Sequence, residues 1–368
     1  MFKLHAVQAQ FGDSLILEYG TAANRRHVLI DGGPPGNYEA DLATAAKDII
    51  GEGGKLDLVV LSHIDNDHVV GLLDLFAGLE EDEANGRQRR FEIDGLWHNS
   101  FGKTLDPTGE ISQRIQVLMA MASSANAPMP LAADAFFGLS EGNRLRLFAK
   151  KLKIPLNKGF KKDLIIVEMA KKPLKFGPLT LTVVGPTQAN LDALKQEWLE
   201  WLAKTEHDAA ADPSAAAMAD KSIPNLSSIV LLAECEGKTM LLTGDARGDH
   251  IIEGLTTAGI TNNGKLHVDL LKVQHHGSDR NTTRDFFERI TADTYVISAN
   301  GKYGNPDQET LNWIVESARD AGRQITLFVT NATPTTKKLL QDHKPANFGY
   351  TLKTIEQGKH ALEIATAA

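Results

Sequence analysis

Short apolar runs alternate with turn residues along the first third of the chain. Residues 3–7, 14–19 and 27–30 are alternating or β-branched stretches, broken by Gly12-Asp13 and by residues 21–24, which predicts an antiparallel meander. Asp31-Gly32-Gly33-Pro34-Pro35-Gly36 ends it sharply. The spacing then predicts a helix over 38–50 and a buried strand over 56–61, the latter because it is apolar almost throughout. Ser62-His63-Ile64-Asp65-Asn66-Asp67-His68 follows, and 69–79 reads as a helix, so the polar cluster is expected in a strand-to-helix loop. Residues 80–90 read as a charged surface loop.

The middle of the chain is less regular. A helix is expected over 111–121, a small-residue and proline linker over 122–133, and an amphipathic helix over 190–204, where Leu191, Leu194, Trp198 and Leu202 recur at helical spacing. Trp198 is expected in the core. Residues 205–225, Ala-rich with Pro213 and Pro224, read as a mobile loop. The last third resumes the alternation. A hairpin is expected over 229–242 and ends in Thr243-Gly244-Asp245. A strand over 268–273 ends in Gln274-His275-His276-Gly277-Ser278, and another over 294–298 precedes Asn300 to Asp307 and a helix. Thr282 with Asp285, and Asn305 with Pro306 and Gln308, read as helix-start signals. Strands thus repeatedly end in polar, metal-competent loops.

A length of 368 residues suits two to three domains or one large domain with insertions. With 42% hydrophobic and 23% charged residues, wholesale disorder and a collagen-like chain are excluded. No apolar run reaches the ~20 residues that span a bilayer, so no membrane association is expected. The start lacks the plan of a secretory signal and Cys235 is the sole cysteine, which excludes an intrachain disulfide; the expected location is cytoplasmic. The net charge of −8 argues against a generally polyanion-seeking molecule. Its distribution changes that picture, because Arg144 to Lys175 holds eleven basic residues against Asp163 and Glu168. Such a segment either tracks the phosphates of a nucleic acid or is an exposed face of snorkelling lysines.

His63, Asp65, Asp67 and His68 fall within six residues, and Asp245 and the His275-His276 pair add donors after later strands. Together they offer enough nitrogen and oxygen ligands for two metal ions. No member is diagnostic alone, since Asp67 or Asp245 would serve equally as a turn residue bonding its own backbone. Asp31 either shapes the Gly32-Gly33 turn or orients the ligand loops. His98 is a candidate further ligand, with a core or surface role the alternative, and Ser278 is either a loop stabiliser or a phosphate donor.

Asp31-Gly32-Gly33, His63-x-Asp65-x-Asp67-His68, Thr243-Gly244-Asp245 and His275-His276-Gly277-Ser278 resemble the motifs of the metallo-β-lactamase superfamily. The chain is most similar to a soluble stand-alone form of its ComEC-like branch, named for the soluble domain of a competence DNA-uptake channel. Asn225-Leu-Ser-Ser-Ile-Val and Tyr303-Gly304-Asn305-Pro306 also resemble that branch. The resemblance implies an α/β fold, a four-layered αββα sandwich formed by a single domain, with a large insertion over about 99–223 shaping substrate access. It implies a metal site of Asp67, His68, Asp245 and His276, and a second of His63 and Asp65 sharing Asp245. Asp67 would also orient a metal-bridging hydroxide, and His275 would either support the ligands from behind or contact the substrate phosphate. The commonest form of the first motif carries His where Asp65 stands, and Gly185 stands where another ligand is expected.

The cofactors so implied are two divalent ions, zinc by the usual habit of the family or manganese because Asp65 makes one site richer in oxygen. The function expected is that of a dinuclear metal-dependent hydrolase, a phosphodiesterase or nuclease. The alternatives are hydrolysis of a small phosphoester, lactone or thioester, or a non-catalytic binding partner that kept the fold.

Overall fold

Alternation of apolar and polar residues gives sixteen strands among the residues that the computed structural model describes, 1–124, 132–170, 172–211 and 227–366. In chain order they are β1 (Phe2–Val7), β2 (Leu15–Thr21), β3 (Asn24–Ile30), β4 (Gly54–Leu56), β5 (Leu58–Leu61), β6 (Phe91–Ile93), β7 (Leu96–His98) and β8 (Leu174–Phe176). Then come β9 (Leu179–Gly185), β10 (Val230–Cys235), β11 (Lys238–Leu242), β12 (Leu266–Lys272), β13 (Ile290–Ile297), β14 (Ile325–Val329), β15 (Tyr350–Thr354) and β16 (Ala361–Ala365). One sheet has the order β16-β1-β2-β3-β5-β7 and a second the order β15-β14-β13-β12-β11-β10-β9-β8. The first opens as the expected meander and continues with the parallel strands β3, β5 and β7. In the second, strands β11 to β15 run parallel.

The two sheets stack on Leu4, Leu17, Val28, Trp97, Leu231 and Leu270, with Cys235, the last residue of β10, sealed among them. Helices α1 (Ala43–Ile50), α2 (Asn66–Ala84), α3 (Phe101–Thr104), α4 (Glu110–Ser124), α5 (Ala132–Lys151) and α6 (Gln188–Ala211) belong to the first two thirds of the chain. The last third adds α7 (Gly248–Thr257), α8 (Arg284–Arg289), α9 (Gln308–Asp320) and α10 (Pro334–Asp342). Helices α1, α2 and α5 cover the outer face of the first sheet through Ala46, Leu72, Phe76 and Leu145. The second sheet is covered by α7 to α10 through Ile251, Phe286, Leu311 and Leu339. The architecture is therefore an αββα sandwich, because each sheet buries both of its faces. Within 99–223, β8 and β9 extend the second sheet and α5 joins the outer layer, while α4 and α6 share a separate apolar cluster in which Trp198 is buried.

Several local expectations are corrected. The strand over 56–61 is split at Asp57, whose carboxylate receives Arg26 and the Tyr19 hydroxyl. Helix α2 starts at Asn66 and runs to Ala84, because Asp65 stands in extended backbone at the N-cap and the acidic stretch after Leu79 continues the helix; the charged loop is correspondingly shorter. Helix α6 runs past Lys204 to Ala211, and the rest of the expected mobile loop, 212–225, lies outside the described residues. So does most of the expected linker, 125–131. Thr283 rather than Thr282 caps α8, accepting from the Phe286 amide at 3.3 Å. Asp307, not Asn305, precedes α9, while the Asp307 carboxylate is engaged by the Asp279 amide at 2.9 Å.

Candidate metal centre

The carboxyl ends of β3, β5, β11, β12 and β13 meet along one edge of the sandwich, where the chain leaves each strand for a loop. Open α/β sheets place ligand-binding groups at such ends. β3 delivers Asp31, β5 delivers Ser62 and His63, β11 delivers Asp245, and β12 delivers His275 and His276. Asp67 and His68 lie in the first turn of α2 rather than in the loop before it, a position that favours a carboxylate on dipole grounds. Glycines let these segments approach. A Cβ on Gly71 of α2 would stand 1.9 Å from the Gly32 carbonyl oxygen, and one on Gly12 would stand 1.9 Å from that of Asp67.

Asp245 is the hub. His63 Nε2 lies 3.6 Å and His276 Nε2 3.6 Å from its Oδ2, and His68 Nε2 lies 3.5 Å from its Oδ1. His275 Nε2 is 3.7 Å from Oδ2 and its side chain is partly exposed. Asp67 stands between two histidines, 3.4 Å from His276 Nε2 and 3.9 Å from His68 Nε2. Asp65, at the rim, is 3.9 Å from His63 Nε2. These separations exceed a hydrogen bond and match the ~3.4 Å between two donors that each sit about 2.1 Å from one tetrahedral ion.

The outer ring of hydrogen bonds fixes which nitrogen faces inward. His68 Nδ1 donates to Asp31 Oδ2 at 2.9 Å, and His276 Nδ1 donates to the Ser298 carbonyl at 3.0 Å. His63 Nδ1 is 3.0 Å from Ser62 Oγ, whose own proton goes to Asp31 at 2.6 Å, and 3.3 Å from Ser228 Oγ. His275 Nδ1 donates to Asn281 Oδ1 at 2.6 Å, and the Asn281 amide donates to the Asp245 carbonyl at 3.1 Å. With every Nδ1 engaged, the Nε2 lone pairs point at Asp245. The Nε2 atoms of His63, His68 and His276 are buried without a hydrogen-bond partner. Such orphaned groups are costly unless something accepts their lone pairs, and a divalent cation does so. The donor set therefore fits a metal centre. Two groups, His63-His68-Asp245 and Asp67-His68-His276, each bring three donor atoms within 4.8 Å of one another.

Burial works against charge on His63, Asp67, His68, Asp245 and His276, and neighbouring charges overcome it on all of these but His63. His68 is raised well above its ordinary value, because the carboxylates of Asp245, Asp67 and Asp31 outweigh burial. His276 is raised to about 10 by Asp245 and Asp13 against the same opposing burial. Asp67 is lowered to about 2 by His68 and His276 although burial opposes ionisation, and Asp245 is lowered well below the carboxylate range by His276 and His68. His63 is lowered by burial and by His68. The field at the hub thus favours a positive charge.

His63, Asp65, Asp67, His68, Asp245, His275 and His276 converge on this one volume. Asp31 lies behind it, bonded to His68 and Ser62, and Ser278 closes the histidine turn by donating its amide to the His275 carbonyl at 2.8 Å. His98 stands apart. It ends β7 opposite Leu61 of β5, belongs to no ligand group among the described residues, and is pushed down to about 3 by burial and by Arg146. Gly185 ends β9 and brings no ligand atom. The basic segment is spread over α5, the following loop and β8; Arg146 is paired with Asp163 and Lys151 with Glu80.

Sequence reasoning missed Asp13, Ser62, Ser228, Asn281 and Lys272 as parts of this centre. Asp13 is buried, 3.6 Å from His276 Nδ1, and is held by the buried Lys272 ammonium at 2.6 Å. Its one visible signal was Gly12-Asp13, which reads as an ordinary turn.

Residues 10–79 match the family model of the metallo-beta-lactamase superfamily, over the segment that supplies Asp31, His63, Asp67 and His68. The fold is that of the metallo-β-lactamases. Among relatives, ComE operon protein 3 of Bacillus subtilis (strain 168) is 34% identical over 94 residues, 25% of this chain and 12% of that protein. Microtubule-associated protein 1A of Rattus norvegicus is 33% identical over 79 residues, 21% of this chain and 3% of that protein. The chain thus matches only a small part of the length of either relative. Among solved structures, a diphosphatase from the PhnP family aligns over 99% of this chain and 98% of its own at 10% identity, with a TM-score of 0.39. No described helix of this metallo-β-lactamase-fold chain is long and apolar enough to cross a membrane.

Proposed function

We propose that this chain is a hydrolase of phosphodiesters, with nucleic acid as the substrate class, and that it holds two divalent ions, zinc or manganese. The observation that carries the reading is the trio of buried, unpartnered Nε2 atoms around Asp245, each with its Nδ1 anchored. Asp67, His68 and His276 would hold one ion and His63 with Asp65 the other, Asp245 being common to both. Bound ions of this kind supply Lewis acidity and lower the pKa of coordinated water towards neutrality. Asp31 keeps His68 in one tautomer, and Asn281 does the same for His275. Partly exposed at the mouth, His275 would contact the substrate there, its Nδ1 proton held by Asn281 and its Nε2 left to accept a hydrogen bond. The phosphodiester preference is supported by the likeness of the motifs to the ComEC-like branch and by the basic segment from Arg144 to Lys175.

Purified protein loaded with Zn²⁺ or Mn²⁺ is expected to cleave single-stranded DNA, and Asp245→Ala to lower kcat by roughly a thousandfold or more while keeping its circular dichroism spectrum. Turnover of a small lactone or thioester with no cleavage of DNA would reverse the substrate assignment. Absence of bound metal in the native protein would remove the proposal altogether.

A further inference from the structure

The mouth of the metal centre carries a feature that the hydrolytic machinery does not use. A cavity of about 330 Å³ opens beside Asp65, Asn66 and Asp67 and is closed on its other side by Phe11, Pro35, Lys302 and Tyr303. Tyr303 is 76% exposed, the highest value for a large apolar side chain among the described residues. Its ring meets that of Phe11 edge to face, centroids 6.0 Å apart at 90°. The Lys302 ammonium stands 3.4 Å from the centroid of Phe11 and 4.9 Å from that of Tyr303, so aromatic faces hold it at the rim.

The arrangement is fixed by backbone rather than left to a floppy loop. Tyr303 has φ +61°, a left-handed conformation that bulky residues rarely adopt. It is retained by a ring of bonds: the Lys302 amide to Asn300 Oδ1 at 3.0 Å, the Gly304 amide to the Gly301 carbonyl at 3.1 Å, and the Gly301 amide to the Asn305 carbonyl at 3.0 Å. The Asn300 amide side chain reaches Gln10 Oε1 at 3.2 Å, which ties the Tyr303 loop to the loop that carries Phe11. Two strained or turned segments from opposite sheets therefore present aromatic rings and one cation on a common rim.

We propose that Phe11, Lys302 and Tyr303 clamp an unpaired nucleobase and its adjoining phosphate, so that the centre acts on single-stranded rather than duplex nucleic acid. This rests on the phosphodiesterase reading above. Every base offers a π-face, so stacking on an exposed ring tolerates any sequence but requires the base to be free of its pairing partner. The phosphate next to that base would meet Lys302, and because Asp65 and Asp67 line the same cavity the strand would run on from the clamp towards the metal centre. A duplex keeps its bases stacked inside and presents no face to Tyr303.

Three substrates test it on the metal-loaded full chain: a twelve-nucleotide oligothymidylate, the same strand with an abasic analogue beside the cleaved position, and a blunt duplex. The wild type is expected to show a KM about tenfold lower for the base-bearing strand than for the abasic one, and little cleavage of the duplex. Tyr303→Ala should erase the base preference, Tyr303→Trp should restore it, and Lys302→Met should raise KM for both single strands. A 2-aminopurine placed at the clamped position should lose fluorescence on binding to the wild type and not to Tyr303→Ala. Retention of both the base preference and the fluorescence change by Tyr303→Ala would overturn the clamp while leaving the hydrolase reading intact. If no phosphodiester is cleaved by any form, the hydrolase reading falls, and the fluorescence change still decides the clamp: its absence from the wild type overturns it.

Discussion

His68 and His98 are equally sealed from solvent, yet their surroundings drive them in opposite directions. His68 faces Asp245, Asp67 and Asp31, and those carboxylates raise it against the cost of burial. His98 faces no compensating carboxylate strong enough to offset burial and the nearby Arg146, and falls to about 3 from 6.5. Neutral His98 is thus part of the folded state's stability. In the unfolded chain it binds a proton below pH 6.5, so between about pH 3 and 6.5 the unfolded state takes up more protons. The contribution is complete above pH 6.5 and is lost as the pH falls; at pH 5 the loss is about 2 kcal/mol. His98→Leu removes this term. Urea unfolding at pH 7 and pH 5 should show the variant losing less stability on acidification than the wild type by about that amount. An identical loss in the two proteins would contradict the assignment.

At the scale of elements, the segment just after β3 and the first two turns of α2 touch backbone to backbone. The Gly32 amide donates to the His68 carbonyl at 2.8 Å and the Gly71 amide to the Gly33 carbonyl at 3.1 Å. No side chain fits between them, since a Cβ on Gly71 meets backbone oxygen at 1.9 Å. Helix α2 carries Asp67 and His68, so this contact sets how far those two side chains reach towards Asp245. Gly71→Ala should therefore destabilise the fold by about 3 kcal/mol and also weaken metal binding, because the helix must move off the sheet. Gly102→Ala, where a Cβ meets nothing within 4 Å, is the matched control. Denaturant midpoints and chelator competition check the pair, and equal behaviour of the two variants would show the contact to be unimportant.

At the scale of the whole molecule, the proposed ligand set is divided between the two sheets: His63, Asp67 and His68 follow β5, and Asp245 and His276 follow β11 and β12. An ion seated there would add a cross-link between two layers that already meet at that edge through the Lys272–Asp13 ion pair and the Ser298 hydroxyl bond to the Gly12 carbonyl. Binding to the native state only stabilises it by mass action, by about 2.7 kcal/mol when free ion is a hundredfold above its Kd. For a chain of this size that amounts to a Tm difference of roughly 3–4 °C. Treatment with a chelator should lower Tm by that order, and restoring Zn²⁺ or Mn²⁺ should recover it. An unchanged Tm would mean that the layers do not share an ion.

The meander β1 to β3, the strands β5 and β10 to β13, the apolar face of α6 and the placing of Asp31, His63, Asp67, His68, Asp245 and His276 after strands were legible in the chain, because period-two and helical spacing are local and these residues closely follow apolar runs; β4, β6, β7 and β8, of three residues each, and β9, β14, β15 and β16 were not read from it. Helix ends were less legible. Asp65 and Thr283 take cap positions that neighbouring residues with similar side chains could have filled, and only packing chooses between them. Asp13 shows only an ordinary turn and Ser228 only its place in the Asn225-Leu-Ser-Ser run, while Asn281 and Lys272 carry no local signal, since a buried lysine or a bonded side-chain amide is defined by what lies across from it. The same is true of His98, one strand away from the centre and closed off from it. Amino-acid order by itself determined which side chains stand at strand ends; the crossing of two sheets decided which of them meet, because imidazole orientation, burial and field depend on groups some two hundred residues apart in the chain.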